Sequence, residues 1–265
     1  MRGYRFFAAL ALSLALTATA APVMAEDALR VGVTAGPHAQ IAEVAQQVAA
    51  RDGLPVRLVE FSDYIQPDAA LDARDVDVNI YQHKPFLEAQ NTSRGYRLTP
   101  VAGAVVQQIG VYSRGVKSLG DLPQDAMLAI PNDPTNGARA LLTLQAAGLI
   151  RLKPGVTVAA TVFDVAENPK KLKFVEIDAA QLTHSLADVA AAVVPPAYAI
   201  AAGLSPARDA LFLENKDSPF ALVVIAARED NKNDPRIARF VKAYQSPEVR
   251  RFVLQKFPGA YAPGW

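Results

Sequence analysis

The 265-residue chain contains no cysteine. Disulfides, thiolate metal sites and cysteine nucleophiles are thereby excluded, as is a lipid carried on a cysteine of this sequence. The fold must be held by its core alone. An excess of charge of one sign is also missing: 27 Lys and Arg stand against 26 Asp and Glu. No basic block stands out, so nucleic acid is not expected as a partner. Beyond the first 25 residues no apolar run reaches the roughly 20 residues of a membrane-spanning helix, and no stable membrane insertion is expected. The three histidines, His38, His83 and His184, lack close metal-ligand spacing, which leaves a metal ion as a minor alternative ligand. There is no Gly-x-Ser-x-Gly elbow and no His-Glu-x-x-His motif, so an enzyme is the least favoured reading and no cofactor is implied.

What is present begins with an export signal. Arg2 and Arg5 precede an apolar stretch from Phe6 to Ala21, and Val23-Met24-Ala25 fits a small-residue cleavage site. This pattern predicts a signal peptide over 1–25, cleaved after Ala25, and a mature protein free of lipid in the periplasm. About 240 residues then remain (265 less 25), enough for one large domain or two lobes.

The mature part alternates strands and helices. Strands are expected at Ala28–Thr34, Val56–Phe61 and Val76–Tyr81, with a helix after Pro37, which suits a first helical position. A long β-rich run, Val101–Tyr112, carries Gln107-Gln108 in its middle, and an unpaired amide there would be costly. One of the two glutamines should therefore have a defined partner. The rhythm restarts near Ala126, with a helix over Arg139–Ala147 and strands at Val156–Phe163, Phe174–Ile177, Val189–Val194, Leu211–Glu214 and Ala221–Ala227. Two helices follow, the second opened by Ser246-Pro247-Glu248. Strand–helix–strand repetition argues for an α/β protein with doubly wound, mostly parallel sheets. Two long strands without a linker suggest two lobes joined by two crossings: 26–108 with 224–265, and 109–223.

Two segments about fifty residues apart point to function. Asn79-Ile80-Tyr81-Gln82-His83-Lys84-Pro85-Phe86 and Ile130-Pro131-Asn132-Asp133-Pro134-Thr135-Asn136 each end a strand in a polar cluster before a helix. Such strand ends are where open α/β sheets bind ligands. Arg139 stands one turn into the second helix, and arginine can grip a carboxylate through two parallel hydrogen bonds. A small carboxylated molecule is the expected ligand.

These segments, with Glu167-Asn168-Pro169-Lys170, Arg228-Glu229-Asp230-Asn231, Ala243-Tyr244-Gln245-Ser246 and the closing Pro263-Gly264-Trp265, resemble the NlpA lipoprotein family, the methionine-binding proteins of bacterial ABC importers. The resemblance runs from about Leu29 to Trp265. It implies a two-lobed periplasmic-binding-protein fold that closes on L-methionine or a related small amino acid and delivers it to a permease with its ATPase. Residue by residue it implies an aromatic and imidazole wall of Tyr64, Tyr81, His83 and Phe86, and a carboxylate clamp of Asn136 and Arg139. Gln107 joins them as a ligand-binding candidate. The chain departs from the family at Pro195 and Leu222, where asparagines for the head group are expected, at Gln107-Gln108 in place of Tyr-Pro, and in the missing anchor cysteine. The two lost asparagines point to a different small carboxylate as the alternative to free L-methionine.

Overall fold

The computed structural model describes residues 27–265. The segment expected to be the signal peptide lies outside the described residues. Strand β1 (Leu29–Thr34) is buried along nearly its whole length, as the continuous apolar run requires for a strand covered on both faces. Gly36, at φ 89°, turns the chain into α1 (Pro37–Arg51). That positive φ suits a residue without a Cβ. The chain continues through β2 (Val56–Phe61), α2 (Gln66–Asp72), β3 (Val78–His83), α3 (Lys84–Arg94) and β4 (Leu98–Gln107).

At Gln108-Ile109 the expected single long strand breaks. The chain leaves the first sheet and enters a second with β5 (Gly110–Tyr112) and β6 (Met127–Pro131). Helix α4 (Pro134–Ala146) follows, and β7 (Arg151–Leu152) pairs only with β8 (Val165–Glu167). Next come β9 (Lys173–Ile177), α5 (Leu182–Ser185), β10 (Ala191–Val194), α6 (Pro196–Ala201), α7 (Pro206–Asp209) and β11 (Phe212–Leu213). The chain then returns to the first sheet as β12 (Leu222–Arg228), and α8 (Pro235–Tyr244), α9 (Pro247–Lys256) and β13 (Tyr261–Pro263) complete it.

The first sheet has the order β13-β4-β12-β3-β1-β2 and the second β11-β5-β10-β6-β9. Within them β2-β1-β3 and β10-β6-β9 are parallel, as the rhythm predicts. Strands β4, β12, β5 and β11, on either side of the two crossings, pair antiparallel. Each sheet has its own core. In the first, Ile41, Ala42 and Ala45 of α1 pack with Phe240 and Val253 of the C-terminal helices. In the second, Ala138, Leu141 and Leu144 of α4 pack on Leu128, Ile130 and Val193. Each fully buried Leu, Ile or Val contributes about 1.5–3 kcal/mol.

The expected strand at Val156–Phe163 does not form. The stretch runs through turns into a short 3-10 segment at Val162–Asp164, capped reciprocally by Thr161 and Asp164. Apolar residues alternate there, but Val158 and Phe163 face solvent, and among the described residues the stretch pairs with no strand. The chain's last residues are pinned to β4. Gly264 N–H donates to the Ala104 carbonyl, and a Cβ on Gly103 would run into the Gly264 carbonyl.

Candidate functional site

The site forms where β3 gives way to α3. Register pairs Ile80 with Ile225 and His83 with Val223, so Tyr81 and Gln82 together oppose the single residue Val224. This is a β-bulge, which bends a strand and re-aims its side chains. Tyr81 and Gln82 both reach the pocket as a result. His83 then caps α3, its Nδ1 accepting from the Phe86 N–H at 3.1 Å. Tyr64, from the segment after β2, completes an aromatic wall. Its ring lies 5.8 Å from Tyr81 and 6.4 Å from Phe86, and the Tyr81 hydroxyl donates to the Tyr64 carbonyl at 3.4 Å.

The facing side comes from β6 and α4. Asp133 caps α4, accepting from the Asn136 N–H at 2.9 Å and from the Thr135 hydroxyl at 3.1 Å. Asn136 Nδ2 donates to both Asp133 oxygens, each at 3.1 Å. His83 Nε2 stands 3.2 Å from Asn136 Oδ1. Because Nδ1 already accepts, Nε2 carries the proton and donates to that oxygen. Burial, with the nearby Arg139 charge, pushes the His83 pKa down to about 3, so the imidazole is neutral. The Asn136 amide is thus spent on a bridge between the two sheets, which the clamp role implied by resemblance did not foresee.

Arg139 is similarly committed. It is 1% exposed. Its Nε and Nη2 grip Glu214, with Nη2 2.6 Å from Oε2 and Nε 3.1 and 3.0 Å from the two oxygens. Nη2 also donates to the Gln107 carbonyl at 3.1 Å. Glu214 accepts in addition from the Ser218 hydroxyl at 2.7 Å and the Ile109 N–H at 3.2 Å. One guanidinium face therefore ties α4 to both crossings, and Nη1 is the nitrogen left for another partner.

All seven residues expected from the sequence line one pocket, and Gln82 and Pro195 line it too. Leu222 does not: it is 38% exposed, and its side chain lies beside Gly103 and Gly264. The departure that the resemblance implied at this position therefore lies beside the C-terminal tail and not in the pocket. Of the two glutamines, Gln108 has the defined partner, its Nε2 donating to the Glu214 carbonyl. Gln107 Oε1 is buried without one. Histidines 38, 83 and 184 stand apart, on α1, at the start of α3 and on α5.

Sequence reasoning missed four participants. Glu214 follows the short β11 with no local signal of a partner in α4. Tyr198, on α6, brings its ring to 5.0 Å from Tyr64 and its hydroxyl to 3.4 Å from the Ser62 carbonyl. Gln82 stood within the quoted motif, but strand alternation would turn it away from Tyr81. Asp68 lies behind both. Its Oδ1 accepts from Asn79 Nδ2 at 2.8 Å and Gln82 Nε2 at 2.5 Å. Burial raises its pKa to about 6, with Asn79, Tyr81 and Gln82 partly offsetting the rise.

Known proteins are similar to this chain over most of its length. Residues 29–265 match the family model described as NlpA lipoprotein. A curated relative, the D-methionine-binding lipoprotein MetQ of Yersinia pestis, is 48% identical over 244 residues, 91% of this chain and 90% of that protein. The Escherichia coli K12 protein of the same name is 46% identical over 96% of this chain and 94% of its own length. Among solved structures, a nutrient binding protein from Burkholderia cenocepacia bound to methionine superposes with a TM-score of 0.87. It is 48% identical, covering 89% of this chain and all of that one.

Proposed function

The chain belongs to the NlpA lipoprotein family, and from that premise we propose that it is the substrate-binding protein of an ABC importer for methionine or a closely related small amino acid. The observation that carries this reading is the pocket between the two sheets, where Arg139 keeps Nη1 available beside a wall of Tyr64, Tyr81, His83 and Phe86. Nη1 holds the ligand carboxylate. A charge-assisted hydrogen bond there contributes about 1.5–3 kcal/mol, and the aromatic wall receives an apolar side chain. Contacts from both lobes favour the closed form, because only differential affinity shifts such an equilibrium. The lobes are residues 26–108 with 224–265, and 109–223. Support for that division comes from the chain passing between the sheets at Gln108-Ile109 and between β11 and β12. The partner is a permease with its ATPase.

Export follows from the first segment. The mature chain begins at Glu26 and, with no cysteine in the sequence, carries no thioether-linked lipid, whereas the relatives are named lipoproteins. Among the described residues no helix is long and apolar enough to cross a membrane. N-terminal sequencing and intact mass of the periplasmic fraction test this, and a retained first segment would refute it.

Pro195 supports a second reading, a small carboxylate without an ammonium group, since a proline side chain offers no hydrogen bond. Calorimetry on protein stripped of ligand by unfolding and refolding decides between them, using L-methionine, D-methionine and their deaminated analogues. Binding of none of these would sink the assignment.

A further inference from the structure

Gln82 is 2% exposed and lines the pocket. The orientation of its amide is set by its neighbours. Nε2 donates to Asp68 Oδ1 at 2.5 Å and to Asn79 Oδ1 at 3.1 Å. Oε1 is therefore the end left over, and it is buried with no partner. A buried carbonyl without a donor is unfavourable, and one on a residue that lines a pocket is a candidate acceptor for a ligand donor. Asp68 is 1% exposed. Its Oδ1 is shared by two amides, and its Oδ2 has no partner.

The charges in the neighbourhood are unevenly matched. Glu214 is paired with Arg139. Asp133 has both oxygens taken by Asn136, and one also by Thr135. Among the described residues Asp68 meets no cation, only the neutral Asn79 and Gln82 amides and the Tyr81 hydroxyl, and it holds the Nε2 end of the amide of Gln82, a residue that lines the pocket. Nε2 against a carboxylate polarises the Gln82 amide and makes Oε1 the stronger acceptor. Pro195, where the family resemblance implies an asparagine, supplies no side-chain acceptor.

We propose that Gln82 Oε1, backed by the Asp68 carboxylate, is the ammonium subsite of this pocket, so that the ligand is a zwitterionic α-amino acid rather than a simple carboxylate. This rests on the pocket being the ligand site. The β-bulge is what makes the subsite: without the extra residue opposite Val224, Gln82 would face away from Tyr81. The ligand's positive end then replaces the missing donor at Oε1, while its negative end meets Arg139 Nη1.

The test uses ligand-stripped full-length mature protein and two probes, L-methionine and 4-(methylsulfanyl)butanoate, which lacks only the ammonium. Calorimetry gives the ratio of their affinities for the wild type, for Gln82→Met, which keeps volume, and for Asp68→Asn, which keeps shape. Thermal melts establish that each variant is folded. The wild type should prefer L-methionine, and the preference should fall at least about tenfold in each variant, equivalent to about 1.4 kcal/mol. An unchanged ratio in both variants overturns the subsite while leaving the pocket in place. A wild type that binds the butanoate at least as tightly as L-methionine does the same. Binding of neither probe removes the pocket reading, and the subsite with it.

Discussion

Arg139 and Glu214 form a buried ion pair in which guanidinium nitrogens Nε and Nη2 meet both carboxylate oxygens. Side-chain exposures are 2% and 6%. The pair fastens a helix of the second lobe to the segment through which the chain returns to the first. Arg139 therefore has a structural duty beside the ligand role proposed for its Nη1.

Arg139→Ala consequently does more than remove the proposed clamp. It leaves Glu214 buried and unpaired, and breaking a buried pair from one side costs about 3–5 kcal/mol. Guanidinium unfolding should show a loss of that order. Replacing both partners with hydrophobic residues of similar volume should recover much of the stability and none of the binding. Arg139→Lys should rescue binding poorly, because an ammonium lacks the planar fork. Wild-type stability in the alanine variant would mean that the pair contributes nothing.

Acid should destabilise the fold through two histidines. Burial lowers the pKa of His38 to about 4 and of His83 to about 3, whereas the unfolded chain protonates near 6.5. Below 6.5 the unfolded state takes up protons that the fold refuses, so stability falls with pH and keeps falling toward 4 and 3. At pH 5 this amounts to about 2 kcal/mol for each ring. His38→Gln should flatten the dependence in denaturant melts at pH 7.5 and 5. An unaltered slope would show that His38 is not the titrating group.

Asp68 acts in the opposite direction. Its folded pKa, about 6, lies above the unfolded value near 3.8, so the fold holds a proton more tightly between these limits. That stabilisation is present at low pH and is lost as pH rises through 6. At pH 7.5 the buried charge costs up to about 3 kcal/mol. Asp68→Asn should therefore be more stable than the wild type at pH 7.5, with the difference gone near pH 4. Equal destabilisation at both would indicate that the carboxylate matters for its hydrogen bonds and not for its charge.

Tyr198, on α6, packs its ring 5.0 Å from that of Tyr64, which lines the pocket. Aromatic pairs contribute about 0.5–1.5 kcal/mol beyond burial. Tyr198→Ala should speed ligand release up to about tenfold, with little change in association rate. Stopped-flow fluorescence separates the two, and a slowed association with unchanged release would contradict this expectation.

Much of the scaffold was legible in the residues themselves. Pro37, Pro85, Pro134, Pro235 and Pro247 each sit in the first turn of a helix, where the missing N–H costs nothing. Capping residues His83, Asp133 and Ser246 mark helix starts by bonds made within three residues. Parallel β1, β2 and β3 follow from apolar runs separated by helices. These signals are local, so the chain carries them wherever it lies.

What local signals left open was decided by tertiary structure. Val156–Phe163 has strand-like valines, yet Val158 and Phe163 face solvent and the stretch joins no sheet among the described residues. The bulge at Tyr81-Gln82 exists only because β12 offers one residue where β3 offers two, and this alone brings Gln82 beside Tyr81. Arg139 finds Glu214 across 75 residues, a pairing that no spacing announces. Sequence by itself determined the family, the alternation of strands and helices, and the residue types of the pocket. The free edge of Arg139, the removal of Leu222 from the pocket and the unpaired acceptor of Gln82 arose only on folding, because each depends on which distant group fills the space beside it.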